Sequence, residues 1–389
     1  MTGGRQGSRA TSARAVLAIA AILAVGLGVQ VLRKPGAGES RPAGSSTTNI
    51  PGPLRPPEAP ASRRHWHRAW TYPAGAPLAG APASLGDGWV VNTGKGRVVA
   101  LDGSGRELWS RGFTNLTFAG SVAVADGVLV VADATGHVVG LEAVSGRTLW
   151  ETAIPGVFRR APLAVRVGDA WRVVALNGEN GALRCLNAND GRELWHTEPT
   201  NRSDGPPAGD GHRIVYGNCD AAVHVFDAAN GSPLGSIPVG AEAQMAGALL
   251  LLDGRVYGGT RAGELVCVDA AARALAWHVS VAGGEAFGTP VAARGLVVMG
   301  TPEGRVAAFD AGNGAERWKV SVSNAVSGLC AVDDAVFAVA GGRLLGLRLA
   351  DGARFATLPI GDEVAGPAFN GRVLVVADDG GTVIAVAGE

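Results

Sequence analysis

The chain has 389 residues with 34 basic and 34 acidic side chains, so its formal net charge at pH 7 is zero. A nucleic-acid surface needs a basic excess to displace counterions, so that class is set aside. A hydrophobic fraction of 47% against 17% charged residues excludes global disorder, and 59 Gly beside only 3 Met favours strands and turns over helices.

The first predicted elements are a basic segment, 1–14, and an apolar one, 15–32, reading AVLAIAAILAVGLGVQVL. Arg5, Arg9 and Arg14 precede the apolar run with no acidic residue among them. At about 1.5 Å per residue the run is about 27 Å long as a helix, close to the hydrocarbon thickness. A transmembrane helix and the apolar region of a signal peptide both fit, because Arg33-Lys34-Pro35 follows without a clear small-residue cleavage site. The first cysteine is Cys185, so a lipid-modified N-terminal cysteine is not expected. Residues 33–62 are rich in Pro, Gly and Ser and read as an unstructured tether. Anchor, tether and globular part, 63–389, is the layout of an exported protein. It would be held to the membrane through its N-terminal helix or secreted after cleavage, on the periplasmic or cell-surface side.

A period of about 40 residues fills the rest. Seven segments align: GRVVALDGSGRELW (96–109), GHVVGLEAVSGRTLW (136–150), GALRCLNANDGRELW (181–195), AVHVFDAANGSPLG (222–235), GELVCVDAAARALAW (263–277), GRVAAFDAGNGAERW (304–318) and GRLLGLRLADGARFA (342–356). Their ends are spaced by 41, 45, 40, 42, 41 and 38 residues. Each unit holds an apolar run such as VLVVAD (128–133), a second such as HVVGLE (137–142), an Asp/Asn-Gly turn and a third run ending in Trp. A short upstream strand, as in 288–295, supplies a fourth. Four short strands in about 40 residues is the spacing of a β-propeller blade, the architecture also built by WD40 repeats. Gly105, Gly146, Gly191, Gly231, Gly314 and Gly352 stand where the turn requires positive φ.

Trp109, Trp150, Trp195, Trp277 and Trp318 close five units and are expected to dock one blade on the next. Full burial of such a ring is worth roughly 4–6 kcal/mol before entropy is subtracted. Gly235 and Ala356 take the Trp place in two units, so those junctions should be weaker or packed otherwise. The C-terminal strands, 372–378 and 381–388, stop before any Trp strand, while RHWHRAW (64–70) offers a spare one with Trp70. The N-terminal strand is therefore predicted to complete the last blade. That gives an all-β, eight-bladed propeller of four-stranded antiparallel blades with no open sheet in the ring.

The pattern A-x-D-x-x-x-G-x-x-x-W, here Ala308, Asp310, Gly314 and Trp318, resembles the repeat of the PQQ-like propeller family across residues 63–389. The bare plan is similar to the compact, non-catalytic BamB-like branch, whose founding member works in outer-membrane assembly. The resemblance implies protein partners and no enzyme activity. Quinoprotein dehydrogenases of the same family hold a quinone and a calcium ion, with an Asp base and usually a vicinal Cys pair. Here Cys185, Cys219, Cys267 and Cys330 are not adjacent, and those enzymes' extra loops are missing. No catalytic, cofactor-binding or metal-binding residue is expected.

Asp102, Asp227, Asp269 and Asp310 read as turn formers. Cys185 and Cys267 take a small-residue slot held elsewhere by Ala100 and Ala308 and are expected as buried free thiols, with a Cys185–Cys219 disulfide left open. His65 and His67 should share one strand face without an evident third metal ligand. The better functional candidates are loops. Residues 198–213, with Arg202, form the longest connection, and 153–163 are expected to expose Phe158 beside Arg159 and Arg160, the composition of an interface anchor. The resulting expectation is a monomeric, extracytoplasmic scaffold for protein–protein interaction. A small-ligand or sensor propeller is the first alternative and a quinone-dependent dehydrogenase the second.

Overall fold

Short apolar runs separated by positive-φ glycines build eight four-stranded antiparallel sheets. The computed structural model describes residues 59–118, 120–240, 243–245, 247–361 and 365–389. The basic segment, the apolar segment 15–32 and the tether as far as residue 58 lie outside these residues. Among the described residues no helix is long and apolar enough to cross a membrane.

Blade one is typical, with strands Ala83–Leu85, Gly88–Asn92, Arg97–Leu101 and Glu107–Gly112 in spatial order. Blades two to seven repeat it within 123–153, 163–196, 208–238, 250–280, 291–321 and 326–359. Blade eight combines Ala365–Phe369, Val373–Ala377 and Thr382–Gly388 with Trp66–Pro73. First strands of neighbouring blades touch, so they line the axis and the fourth strands form the outer wall. Turns between strands one and two, and between three and four, share one rim. The remaining turns and the blade-to-blade connections share the other.

The second and third strands are covered by a blade on each face, which is why they read as unbroken apolar runs rather than alternating ones; Gly88–Asn92 is buried at every position. Outer strands alternate instead. Each also carries a β-bulge, because the register between third and fourth strands slips once in every blade. The extra residue immediately precedes the Trp position: Leu108, Leu149, Leu194, Leu234, Ala276, Arg317, Phe355 and Ala69. A bulge adds twist and re-aims the next side chain, here towards the following blade.

Each Trp ring lies on the turn glycine of the next blade: Trp70 on Gly105, Trp109 on Gly146, Trp150 on Gly191, Trp195 on Gly231, Trp277 on Gly314 and Trp318 on Gly352. These glycines have φ between 69° and 83°, and a Cβ on any of them would come within 2.4–2.8 Å of the ring. Glycine is thus required twice, for the backbone and for the space. Five indoles also donate to the turn's backbone carbonyls: Trp70 to Gly103 (3.0 Å), Trp109 to Ala143 (2.9 Å), Trp150 to Ala188 (3.0 Å), Trp277 to Ala311 (3.3 Å) and Trp318 to Leu349 (2.7 Å). Only Trp150 and Trp318 are buried, at 9% and 8% exposure; the other four keep an edge in solvent because the outer strand has no neighbour beyond it. The full-burial figure is therefore an upper bound for those four.

Both junctions without Trp have a reason. Between blades four and five the turn residue facing Gly235 is Arg273 (φ 55°), whose side chain lies across Gly235 where a ring would sit. Between blades seven and eight the turn that would receive a ring does not exist, since the third and fourth strands of blade eight come from opposite chain ends. Trp66 fills that place. It is 6% exposed, donates to Ala61 O at 2.8 Å and meets Phe337 edge-on at 4.5 Å.

The ring closes by seven residue pairs from Trp66↔Gly388 to Pro73↔Thr382, continued by paired backbone bonds between His65 and Glu389. Ser62 donates to Asp334, and buried Arg64 pairs with Asp333. Ala61–Arg63 form a 3-10 turn and Ala61 is fully buried, because these residues cap the last junction.

Candidate functional site

The two loops singled out in the sequence meet on the rim formed by the blade-to-blade connections. Arg160 Nε donates to the Asp204 carbonyl, Ser203 N to Gly178 O at 3.1 Å, and Arg202 pairs with the Asp204 carboxylate at 3.0 Å. Arg159 reaches Glu179 at 3.6 Å with both side chains largely exposed. Burial lowers the Arg160 guanidinium from its ordinary value, opposed by Asp204, whereas the Asp204 bond raises Arg202. Phe158 corrects the expectation of an exposed anchor. It is 2% exposed, and its ring lies under Gly136 and Gly156, because this connection has to plug the gap between blades two and three. Glu179 and Asp204, which order the arginines, were not signalled by composition.

A second feature lies on the outer flank of the same blades. The third-strand residue just before the one opposite the Trp position is Val99, Val139, Val266, Ala307, Leu345 or Ile384 in six blades, always buried. In blades three and four it is Arg184 and His224. A polar side chain in this apolar slot cannot pack as Val does, and a cavity opens at each. Arg184 lines one of about 360 Å³ with Pro155, Asn177 and Asn180, and His224 lines one of about 580 Å³ with Phe226 and 230–236. Residues 196–199 form a wall of both.

Glu193 organises the smaller cavity, binding Arg184 at 2.9 Å and His196 Nδ1 at 2.7 Å. Burial alone would raise its carboxyl, but these two bonds outweigh that and hold it below the ordinary range. In the larger cavity, His224 stacks on Tyr216 (5.2 Å), which stacks on Phe226 (5.8 Å). The Tyr216 hydroxyl donates to Gly181 O at 2.7 Å and meets Thr200 Oγ1 at 2.9 Å; burial pushes it up to about 12. His224 is 8% exposed, and its Nε2 has no hydrogen-bond partner among the described residues. Burial lowers its pKa and thereby favours the neutral ring at pH 7, while Asp220 opposes that shift. The neighbouring Trp195 Nε1 is also unpartnered, since Arg172 occupies the Ala228 carbonyl at 3.0 Å.

All four cysteines are free, so Cys185 and Cys219 do not pair; Cys185, Cys267 and Cys330 are buried. Burial pushes the Cys185 and Cys330 thiols up to about 12. His65 and His67 stack at 6.2 Å, and among the described residues no group of three or more His, Cys, Asp and Glu is gathered as for a metal ion.

The profile of the family described as outer membrane protein assembly factor BamB matches residues 94–249 and 220–389. BamB of Xanthomonas campestris pv. campestris is 33% identical over 134 residues, 32% of this chain and 31% of that protein. BamB of Nitrosomonas eutropha is 33% identical over 101 residues, 26% of this chain and 23% of that protein. The match thus spans less than a third of either relative's length. Among solved structures, BamB from Moraxella catarrhalis superposes with a TM-score of 0.71 at 17% identity, covering 83% of this chain and 100% of that one. Saccharomyces cerevisiae Sqt1 gives 0.70 at 13% identity, covering 83% and 99%. The quinohemoprotein alcohol dehydrogenase of Comamonas testosteroni gives 0.63 at 13%, covering 84% and 77%. At such identities the likeness is one of fold alone. The profile, by contrast, spans both halves of the ring, and on that ground this eight-bladed propeller belongs to the family of the outer membrane protein assembly factor BamB.

Proposed function

We propose that the protein is a non-catalytic, extracytoplasmic scaffold that binds protein partners during envelope or outer-membrane protein assembly, tethered by its N-terminal apolar segment. The observation that carries this reading is the BamB family match over residues 94–249 and 220–389. The rim bearing Arg159 and Arg202, each ordered by a carboxylate yet largely exposed, is the proposed docking surface. An ordered guanidinium loses less side-chain entropy on binding than a free one.

Crosslinking in native membranes, followed by identification of neighbours, tests the reading. The expected result is recovery of a specific envelope protein from the native chain and its loss from Arg159→Glu/Arg202→Glu. Recovery of the same background from both overturns it. Mass measurement of the mature N-terminus decides between tether and secretion.

A further inference from the structure

We propose that the flank groove between blades three and four is a binding site for a short neutral saccharide. The inference is independent of the scaffold reading. Six blades fill the corresponding place with a buried aliphatic side chain, whereas blade four puts His224 there and leaves about 580 Å³ open. That volume is in the range of small-molecule sites. The buried imidazole nitrogen without a partner among the described residues is the second observation, since a buried polar atom ordinarily has one. Nε2 lies behind the groove wall, so a turn of the imidazole towards the groove is what brings it to a ligand hydroxyl.

The lining selects the ligand class. Among the described residues no Lys or Arg lines the groove, so it lacks the cationic forks that recognise phosphate or other anions. Glu198 is the only carboxylate lining it among the described residues, too few to hold a cation. What remains is hydroxyl, amide and imidazole groups from Thr200, Asn230, Ser236 and His224, set among the apolar faces of Pro199, Leu234 and Phe226. Alternating hydroxyl partners and apolar faces match a sugar, which presents hydroxyls at its rim and C–H groups on its faces. Burial keeps His224 neutral, so it serves as donor or acceptor to an uncharged hydroxyl.

The test uses the full-length chain, purified without sugar-based detergent, with maltose, cellobiose and N,N′-diacetylchitobiose as probes at millimolar concentration. At least one is expected to bind saturably in calorimetry and to raise the melting temperature. His224→Val installs the residue the repeat carries at Val99, Val139 and Val266, so it should melt like the native chain while binding falls about tenfold, the loss of one hydrogen bond. Should His224→Val fail to fold, Ser236→Trp, at an exposed edge of the groove, fills the space instead and should abolish binding. Absence of binding by all three sugars, or undiminished binding in both variants, overturns the proposal. Binding of an extended neutral peptide in the groove with none of the sugars does so too, and assigns the site to a polypeptide.

Discussion

Blades five and six meet through Trp277 lying on Gly314, whereas blades four and five meet through Arg273 lying across Gly235. The contrast shows that the ring and the glycine form one device, lost together. Where the seat acquires a side chain there is no room for an indole, and the long arginine stem covers the exposed backbone in its place. The seventh junction teaches the same rule from the other side. With no turn to receive a ring, the fourth strand ends its contact in Ala356, and Trp66 approaches from the opposite blade.

The largest effects should follow from breaking an intact pair. Trp150→Ala should cost about 3–5 kcal/mol in urea unfolding, the range for an aromatic ring removed from a packed site. Gly191→Val, forcing a β-branched residue into φ 71° and against Trp150, should cost roughly 3 kcal/mol. Arg273→Gly, at the equivalent place, should stay within about 1 kcal/mol. If Trp150→Ala costs no more than Arg273→Gly, the junctions are not different in kind.

A double-mutant cycle sharpens the comparison. Gly235→Trp alone collides with Arg273 and should destabilise, while the pair with Arg273→Gly should recover about 1–3 kcal/mol of coupling. Additive effects would mean that the ring and the seat are independent. At the closing junction, Asp333→Asn leaves the Arg64 guanidinium, 4% exposed, without its counter-ion and should cost about 1–3 kcal/mol. A smaller loss would assign closure to the strand pairing alone. The least effect concerns pH. His224 titrates below its ordinary value of 6.5 because it is buried, so between that folded value and 6.5 the unfolded chain binds more protons. Stability should be insensitive to this group above pH 6.5, fall as pH drops from 6.5 to the folded pKa, and level off below it. His224→Val should flatten that part of the curve.

Much of the ring could be read directly. A period near 40 residues, a turn glycine and a Trp at fixed offset specify both blade and junction, and Trp70 beside two orphan C-terminal strands specifies closure. Those features are local in sequence or repeated, so they show as pattern. The burial of Phe158 depends on which connection covers which gap, a long-range matter that composition cannot express. The bulges leave a trace only in the three residues between glycine and Trp, a spacing that does not by itself distinguish a bulge from a longer turn. Arg184 and His224 could have been found, since both break an aliphatic column of the aligned repeats. What the units share shows the fold, and these two positions are where the units differ.

The closing strand has a consequence for biosynthesis. Residues 66–73 are made roughly 300 residues before their partners, 382–388. At about 5–20 residues per second that is a delay of roughly 15–60 s. During it the first-made strand has nothing to hydrogen-bond with. A nascent or prematurely terminated polypeptide therefore displays a sticky β-edge that chaperones and proteases can recognise, and only synthesis of residues 382–388 hides it.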